Sequence, residues 1–391
     1  MNGRSALGFV VLFGVVSLLA DMTYEGARSI TGPYLAFLGA SAAAAGLVAG
    51  AGEFVGYALR LVFGYLTDRT GRFWAITIWG YAITFVAVPL LALAGSWEVA
   101  TLLIVAERLG KAIRTPARDA MLSHAASGLG RGWGFGLHEA LDQTGAVIGP
   151  LMVAAVLYFG GGYSGGFGIL LFPAALATAV LLLTRYRYPR PRELEEEAQE
   201  GPAAPGDGRR LPQVFWLYMA FVAVGVAGYP HFQLISYHFG AGSVVPAAQI
   251  PVFFSIAMGV DALVALLAGR VFDRAGLQVL LCVPLLALPI APLAFSSGYW
   301  MALAGTVLWG AVMGVQESTM RAAVAGMSLP EIRGTAYGVF NTAFGLFWFA
   351  GSALMGLLYE ASINYLIVFS VGLQLLSVPL LVLAHRKVLR G

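Results

Sequence analysis

The chain has 391 residues, 59% hydrophobic and 11% charged, with a mean hydropathy of +0.79. A water-soluble domain carries about a quarter charged residues, so the composition excludes a soluble globular fold and places the chain in a membrane. The formal net charge of +3 sits in loops, where it reports topology and not affinity for nucleic acid.

A bilayer core takes about 20 apolar residues per helix. The apolar runs here are continuous, not alternating, so helices are predicted and a β-barrel is excluded. Twelve spans follow in chain order: 7–37, 44–66, 73–94, 97–117, 133–158, 165–185, 213–239, 248–269, 278–296, 299–320, 334–359 and 363–384. The N-terminal "MNGRSALGF" lacks a small-residue cleavage site before polar sequence, so span one is predicted to be a retained helix.

Span one carries Asp21, Glu25 and Arg28. At 100° per residue they fall within about 60° of one another, with Tyr24 alongside. Span two carries Glu53, Tyr57 and Arg60 on one face. Span four carries Glu107, Arg108 and Lys111. Span five carries His138, Glu139 and Asp142, with His138 and Asp142 on the face of Gly145 and Gly149. A charge in the bilayer costs roughly 2.5–3.5 kcal/mol, so such groups face protein or water and have partners. Buried ion pairs that hold the first half together are the expected role of Arg60 and Glu107. Two carboxylates one turn apart repel when both are ionised, and a carboxyl that exchanges protons near neutral pH suits proton coupling. Asp21 and Glu25, with Glu139 and Asp142, are the expected proton-coupling groups.

Between spans six and seven lies "RYRYPRPRELEEEAQEGPAAPGDGRR", a linker composition. It divides the chain into an N-terminal six-helix bundle (1–186), a cytoplasmic linker (187–212) and a C-terminal six-helix bundle (213–391).

The second half holds only Asp261 and Glu317 as membrane charges. Span seven instead carries "GYPHFQLISYH". His231 and His238 lie seven apart on nearly one face, with Gln233 and Tyr237 near, and Pro230 breaks the helix. Trp309, Phe347 and Trp348 are expected in core or lipid contact, or as aromatic walls. Cys282 is the sole cysteine, which excludes an intrachain disulfide.

Arg4, Arg69, Arg72, Arg114, Arg118, Arg131, Arg185, Arg187, Arg270, Arg274, Arg321, Arg333, Arg386 and Lys387 all fall on one side of twelve spans, whereas "FGGGYSGGFG" and "LAGSW" hold no Lys or Arg. Both termini and the linker are therefore predicted to be cytoplasmic.

The halves repeat. "GYLTDRTGR" (Gly64 to Arg72) follows span two, and "GRVFDRAG" (Gly269 to Gly276) follows span eight. "RGWGFGL" (Arg131 to Leu137) and "RGTAYGV" (Arg333 to Val339) begin spans five and eleven. Two matches at nearly one offset argue for a duplicated six-helix unit.

Gly-x-x-x-Asp-Arg-x-Gly-Arg resembles the signature loop of the major facilitator superfamily of secondary transporters. The resemblance covers the whole chain and implies an all-α membrane fold of twelve helices in two pseudo-symmetric bundles. It implies a conformational latch at Gly64, Asp68, Arg69, Gly71 and Arg72, with a weaker copy at Asp273 and Arg274, because Leu277 stands where the last Arg would be. Gly136, Gly145, Gly149 and Pro150 resemble the fifth-helix motif of the family's antiporters, although Val153 and Ala154 replace further glycines. They imply a hinge at Gly145, Gly149 and Pro150. "ERLGKAIRTPARDA" is similar to prokaryotic efflux-type members.

In this family helices one, four, seven and ten line the cavity. The resemblance therefore implies substrate contacts by Asp21, Tyr24, Glu25, Arg28, Arg108, Lys111, His231, Gln233, Tyr237 and His238, with Glu53, Tyr57 and His138 nearby. The expected activity is proton-coupled alternating access in the cytoplasmic (inner) membrane, exporting a drug, metabolite or cation by antiport; the protein is expected not to be an enzyme. The alternatives are a divalent-metal exporter with Asp21, Glu25, His231 and His238 as ligands, or a proton-coupled symporter. The expected partners are a small-molecule or ion substrate, protons and the lipid bilayer, with no nucleic acid, no cofactor and a monomeric state.

Overall fold

A computed structural model describes residues 3–126, 131–190, 211–328 and 333–388, with side chains omitted at 3–5, 126, 131–136, 325, 333–334 and 388. Most of the predicted linker, 191–210, lies outside the described residues. Every regular element among the described residues is helical. The first half holds α1 (Gly3–Phe37), α2 (Ala42–Thr70), α3 (Phe73–Leu90), α4 (Trp97–Ala126), α5 (Arg131–Tyr158), α6 (Gly162–Ile169) and α7 (Leu171–Arg187). The second holds α8 (Gln213–Ala227), α9 (Phe232–Ala241), α10 (Ile250–Ala275), α11 (Cys282–Ala287), α12 (Ile290–Ala294), α13 (Tyr299–Met327), α14 (Arg333–Ala361) and α15 (Ile363–Val388).

Nine stretches among the described residues are long and apolar enough to cross a bilayer. One of them, Ala247–Ala294, holds predicted spans eight and nine, while α4 and α13 occupy spans four and ten. Pro230 separates α8 from α9, because a ring without an N–H cannot continue the helical ladder.

The duplication is visible in the backbone. Gly71 and Gly276, 205 residues apart, close α2 and α10 with φ of +63° and +57°, a conformation that side chains disfavour. A Cβ on Gly149 of α5 would strike Met22 of α1, and one on Gly351 of α14 would strike Ala227 of α8. These contacts sit at matching places in the two repeats.

Two expectations need correction. α2 runs to Thr70, so most of the predicted signature loop is the helix's last turns. α4 runs to Ala126, well past residue 117, and carries Pro116 within it. Arg114 and Arg118 therefore both lie well inside α4, and the Arg114 side chain is 1% exposed.

The chain forms two compact units. Unit 1 is Met1–Ile30 with Val55–Gly201, and unit 2 is Thr31–Phe54 with Pro202–Gly391. The ends of α1 and α2 that flank their short connection thus pack in unit 2. Gly32 abuts the backbone of Gln233 and Tyr237, Gly46 abuts Ser352 and Gly356, and Gly50 abuts Phe349. Tyr237 Oη donates to the Ala40 carbonyl at 3.0 Å, and Ala43 N–H donates to Glu360 Oε1 at 2.9 Å.

Candidate functional site

In unit 1 the α1 stripe meets the cations of α4. Asp21, Glu25 and Arg28 are all buried. Glu25 Oε1 lies 3.5 Å from Arg28 Nη1 and 3.8 Å from Lys111 Nζ. Tyr24 Oη donates to Asp21. The charges acting on Asp21 are those of Asp142, Lys111 and Glu25. Lys111 Nζ stands 4.2 Å from the centroid of the Tyr24 ring.

Arg114 completes this cluster and was not anticipated as part of it. Its guanidinium lies between the Tyr24 ring at 5.0 Å and the Tyr81 ring at 4.6 Å, and Nη1 donates to Thr84 Oγ1 at 3.0 Å. The spacing Glu107, Lys111, Arg114, Arg118 carried the signal, since steps of four, three and four keep one helical face. Arg108 pairs with its neighbour Glu107 at 3.3 Å, and Arg118 with Asp119 at 2.9 Å.

α5 is seated directly on the turn that carries Asp21. A Cβ on Gly145 would strike the Leu18 carbonyl and come 3.0 Å from Asp21 Cβ. His138 Nε2 bonds Ser17 Oγ at 2.8 Å. His138, Glu139 and Asp142 each offer one ligand atom within 4.8 Å of the others, so among the described residues they could hold a metal. Of the four metal candidates expected from sequence, Asp21 and Glu25 belong to unit 1, whereas His231 and His238 belong to unit 2. Tyr57 lies 4.8 Å beneath Arg60 in unit 1.

Unit 2 is built differently. His231 caps α9, accepting the Gln233 backbone N–H on Nδ1 at 3.1 Å. Nδ1 therefore carries no proton, and Nε2–H points to Glu53 Oε1 at 3.3 Å. His238 is bonded at both nitrogens, to Tyr359 Oη at 2.9 Å and the Ser296 carbonyl at 3.2 Å. Tyr229 stacks on Trp309 at 5.8 Å and contacts Trp348 at 6.2 Å. Trp309 and Trp348 are buried.

The expected latch residues lie at helix ends. Asp68, Arg69 and Arg72 are exposed, and Arg69 Nη1 donates to Tyr65 Oη at 3.4 Å. Asp273 and Arg274 occupy the last turn of α10.

The family model described as Major Facilitator Superfamily matches residues 7–352. An uncharacterized protein of Mycobacterium tuberculosis is 47% identical over 380 residues, covering 96% of this chain and 93% of its own. An uncharacterized MFS-type transporter of Methanocaldococcus jannaschii is 27% identical over 392 residues, covering 96% and 94%. Among solved structures, the nucleoside transporter NupG in its D323A form superposes with TM-score 0.76 at 13% identity, covering 96% of this chain and 99% of that one. A bacterial homolog of the human lysosomal transporter Spinster, inward-facing and unoccupied, superposes with TM-score 0.70 at 17% identity, covering 98% and 96%.

Proposed function

Because this chain belongs to the Major Facilitator Superfamily of membrane transporters, we propose that it is a proton-coupled secondary transporter that exports a small solute by antiport. One observation carries the reading: a buried carboxylate stripe, Asp21 and Glu25, shares a single cluster with Lys111 and Arg114 of α4. In a site without bulk water, adding a proton to Asp21 changes which cations Glu25 and Asp142 must balance. That makes protonation a change in inter-helix contacts, which is what couples an ion gradient to alternating access. Asp21 and Glu25 carry the proton, Asp142 and Glu139 extend the path, and Arg28, Arg108 and Lys111 set the resting charge. The Gly145–Gly149–Pro150 segment supports export by antiport, because it holds α5 against Leu18–Met22 and so links the antiporter-like motif to the proton site.

The test is pH-gradient-driven flux and counterflow in proteoliposomes. Asp21→Asn is expected to abolish gradient-driven efflux while leaving counterflow. Unchanged pH dependence in both Asp21→Asn and Glu25→Gln would overturn the assignment. The His138, Glu139 and Asp142 grouping favours one second reading, a divalent cation as cargo. Calorimetric binding of Mn²⁺ or Zn²⁺ that Asp142→Asn removes would select it.

A further inference from the structure

The break between α8 and α9 is surrounded by aromatic rings whose polar atoms are nearly all accounted for. Trp309 Nε1 donates to the Pro230 carbonyl at 2.9 Å, and Tyr229 Oη donates to the Trp309 carbonyl at 2.7 Å. Two buried donors depart from this pattern. Trp348 Nε1 and Gln233 Nε2 have no hydrogen-bond partner among the described residues, and the two residues are 1% and 3% exposed. Where water is scarce, an unmade buried donor is costly, so each calls for an explanation.

Both flank His231. Gln233 donates its backbone N–H to His231 Nδ1, and the Trp348 ring lies 5.1 Å from the His231 ring. Phe344 meets Trp348 at 5.5 Å, edge to face. The unused valences beside His231 are these two N–H groups, with aromatic surface from Phe344 and Trp348, while Gln374, which abuts Gly228 at the end of α8, leaves its Oε1 without a partner.

Thr31–Phe54 packs beside this region within the same unit. Gly32 sits on the Gln233 carbonyl, Glu53 meets His231, and the Phe54 ring lies 6.0 Å from that of Phe349, next to Trp348. The segment is seated through glycines and hydrogen bonds and also buries apolar side chains, Tyr34, Leu35 and Val48 among them.

We propose that the α8–α9 break is a substrate subsite for the acceptor edge of a planar aromatic or heteroaromatic solute, which receives hydrogen bonds from Trp348 Nε1 and Gln233 Nε2 once Thr31–Phe54 moves off it. This rests on the transporter reading and deepens it by naming the chemistry of the cargo. A carbonyl, carboxylate or ring nitrogen satisfies the donors, while the ring stacks on the aromatic walls. A permanently cationic aromatic solute with no acceptor satisfies neither donor.

The experiment is calorimetric titration of the full chain in nanodiscs with uracil, benzoate and benzyltrimethylammonium. Uracil or benzoate should bind, and Trp348→Phe and Gln233→Leu should each weaken that binding about tenfold, as expected for one lost hydrogen bond in a dry site. Gln233→Glu keeps the shape and adds a carboxylate, so it should weaken benzoate more than uracil. The proposal falls if neither acceptor probe binds wild type, if benzyltrimethylammonium binds more tightly than both, or if the variants stay within twofold of wild type. The Asp21→Asn flux test separates the two readings. Proton-driven flux that persists with these negative results removes only the substrate class, whereas its absence in wild type removes the coupling itself.

Discussion

Glu25 is the hub of the unit 1 cluster, and replacing it by Gln isolates its charge. The amide keeps the shape and one hydrogen bond, but removes the carboxylate charge that faces Arg28 at 3.5 Å and Lys111 at 3.8 Å. At an effective dielectric of about 20, each attraction is worth about 4–5 kcal/mol before desolvation is subtracted. Removing one partner from a buried pair costs about 3–5 kcal/mol, because the other charge stays buried. The retained hydrogen bond and the partial exposure of Lys111 place Glu25→Gln at the low end, about 3 kcal/mol. At roughly 2 °C per kcal/mol, the melting temperature in detergent should fall by roughly 6 °C. Lys111→Met alone should also destabilise. The double variant removes both charges together and should recover at least about 1 kcal/mol relative to the sum of the singles, which is the coupling a double-mutant cycle reads. Thermal melts of the four proteins, followed by tryptophan fluorescence, supply the cycle. A Glu25→Gln melt within about 2 °C of wild type, or strict additivity, would refute the claim that Glu25 holds α4 to α1 through charge.

Gly145→Leu should destabilise the fold by more than the usual 1–3 kcal/mol of overpacking, because the obstacle is the Leu18 backbone carbonyl and not a flexible side chain; Gly168→Leu, which meets nothing within 4 Å, is the matched control in the same melts. Glu360 accepts the Ala43 N–H at the start of α2, so Glu360→Ala should loosen that end of Thr31–Phe54 while Glu360→Gln retains most of the contact. Labelling of Ser352→Cys in a Cys282→Ser background by a membrane-impermeant maleimide should accelerate several-fold for the Ala variant over the Gln variant, and equal rates would count against the contact as a closure.

The helices and the polar stripe were legible because each is a property of one segment. Apolar length marks a span, and a 100° step places Asp21, Glu25 and Arg28 together whatever surrounds them. The partners were not legible, because they come from remote segments. His231 meets Glu53 across 178 positions, and Ala43 meets Glu360 across 317. Helical periodicity orients a face but does not name what lies opposite. The end of α4 was misjudged for a local reason. Apolar length placed the end of span four at 117, beside Pro116, a residue that normally marks a helix boundary. Instead α4 carries the proline within it, and a Cβ on Gly64 of α2 would come within 3.7 Å of Pro116 Cβ. The histidines of span seven looked alike in sequence, yet only His231 caps a helix, and it does so because Pro230 ends the ladder just before it.

The division of α1 between the two units bears on how the proposed proton site and the proposed subsite would communicate. Residues through Ile30 belong to unit 1 and those from Thr31 to unit 2, so the helix that carries Asp21 also carries Gly32. Eleven residues of α-helix separate them, roughly 16 Å at 1.5 Å per residue. A helix transmits a tilt or a shift along its axis far better than a loop does, since bending it sharply breaks its own hydrogen bonds. A change in the balance among Asp21, Glu25 and Lys111 alters how α1 is held by α4 and α5. The same rod then moves Gly32 relative to the Gln233 carbonyl, which admits no side chain at that position. Where the proposed proton site and subsite are coupled, the coupling is reciprocal by necessity: a solute that stabilises the uncovered state changes the affinity of Asp21 for its proton by the same free energy.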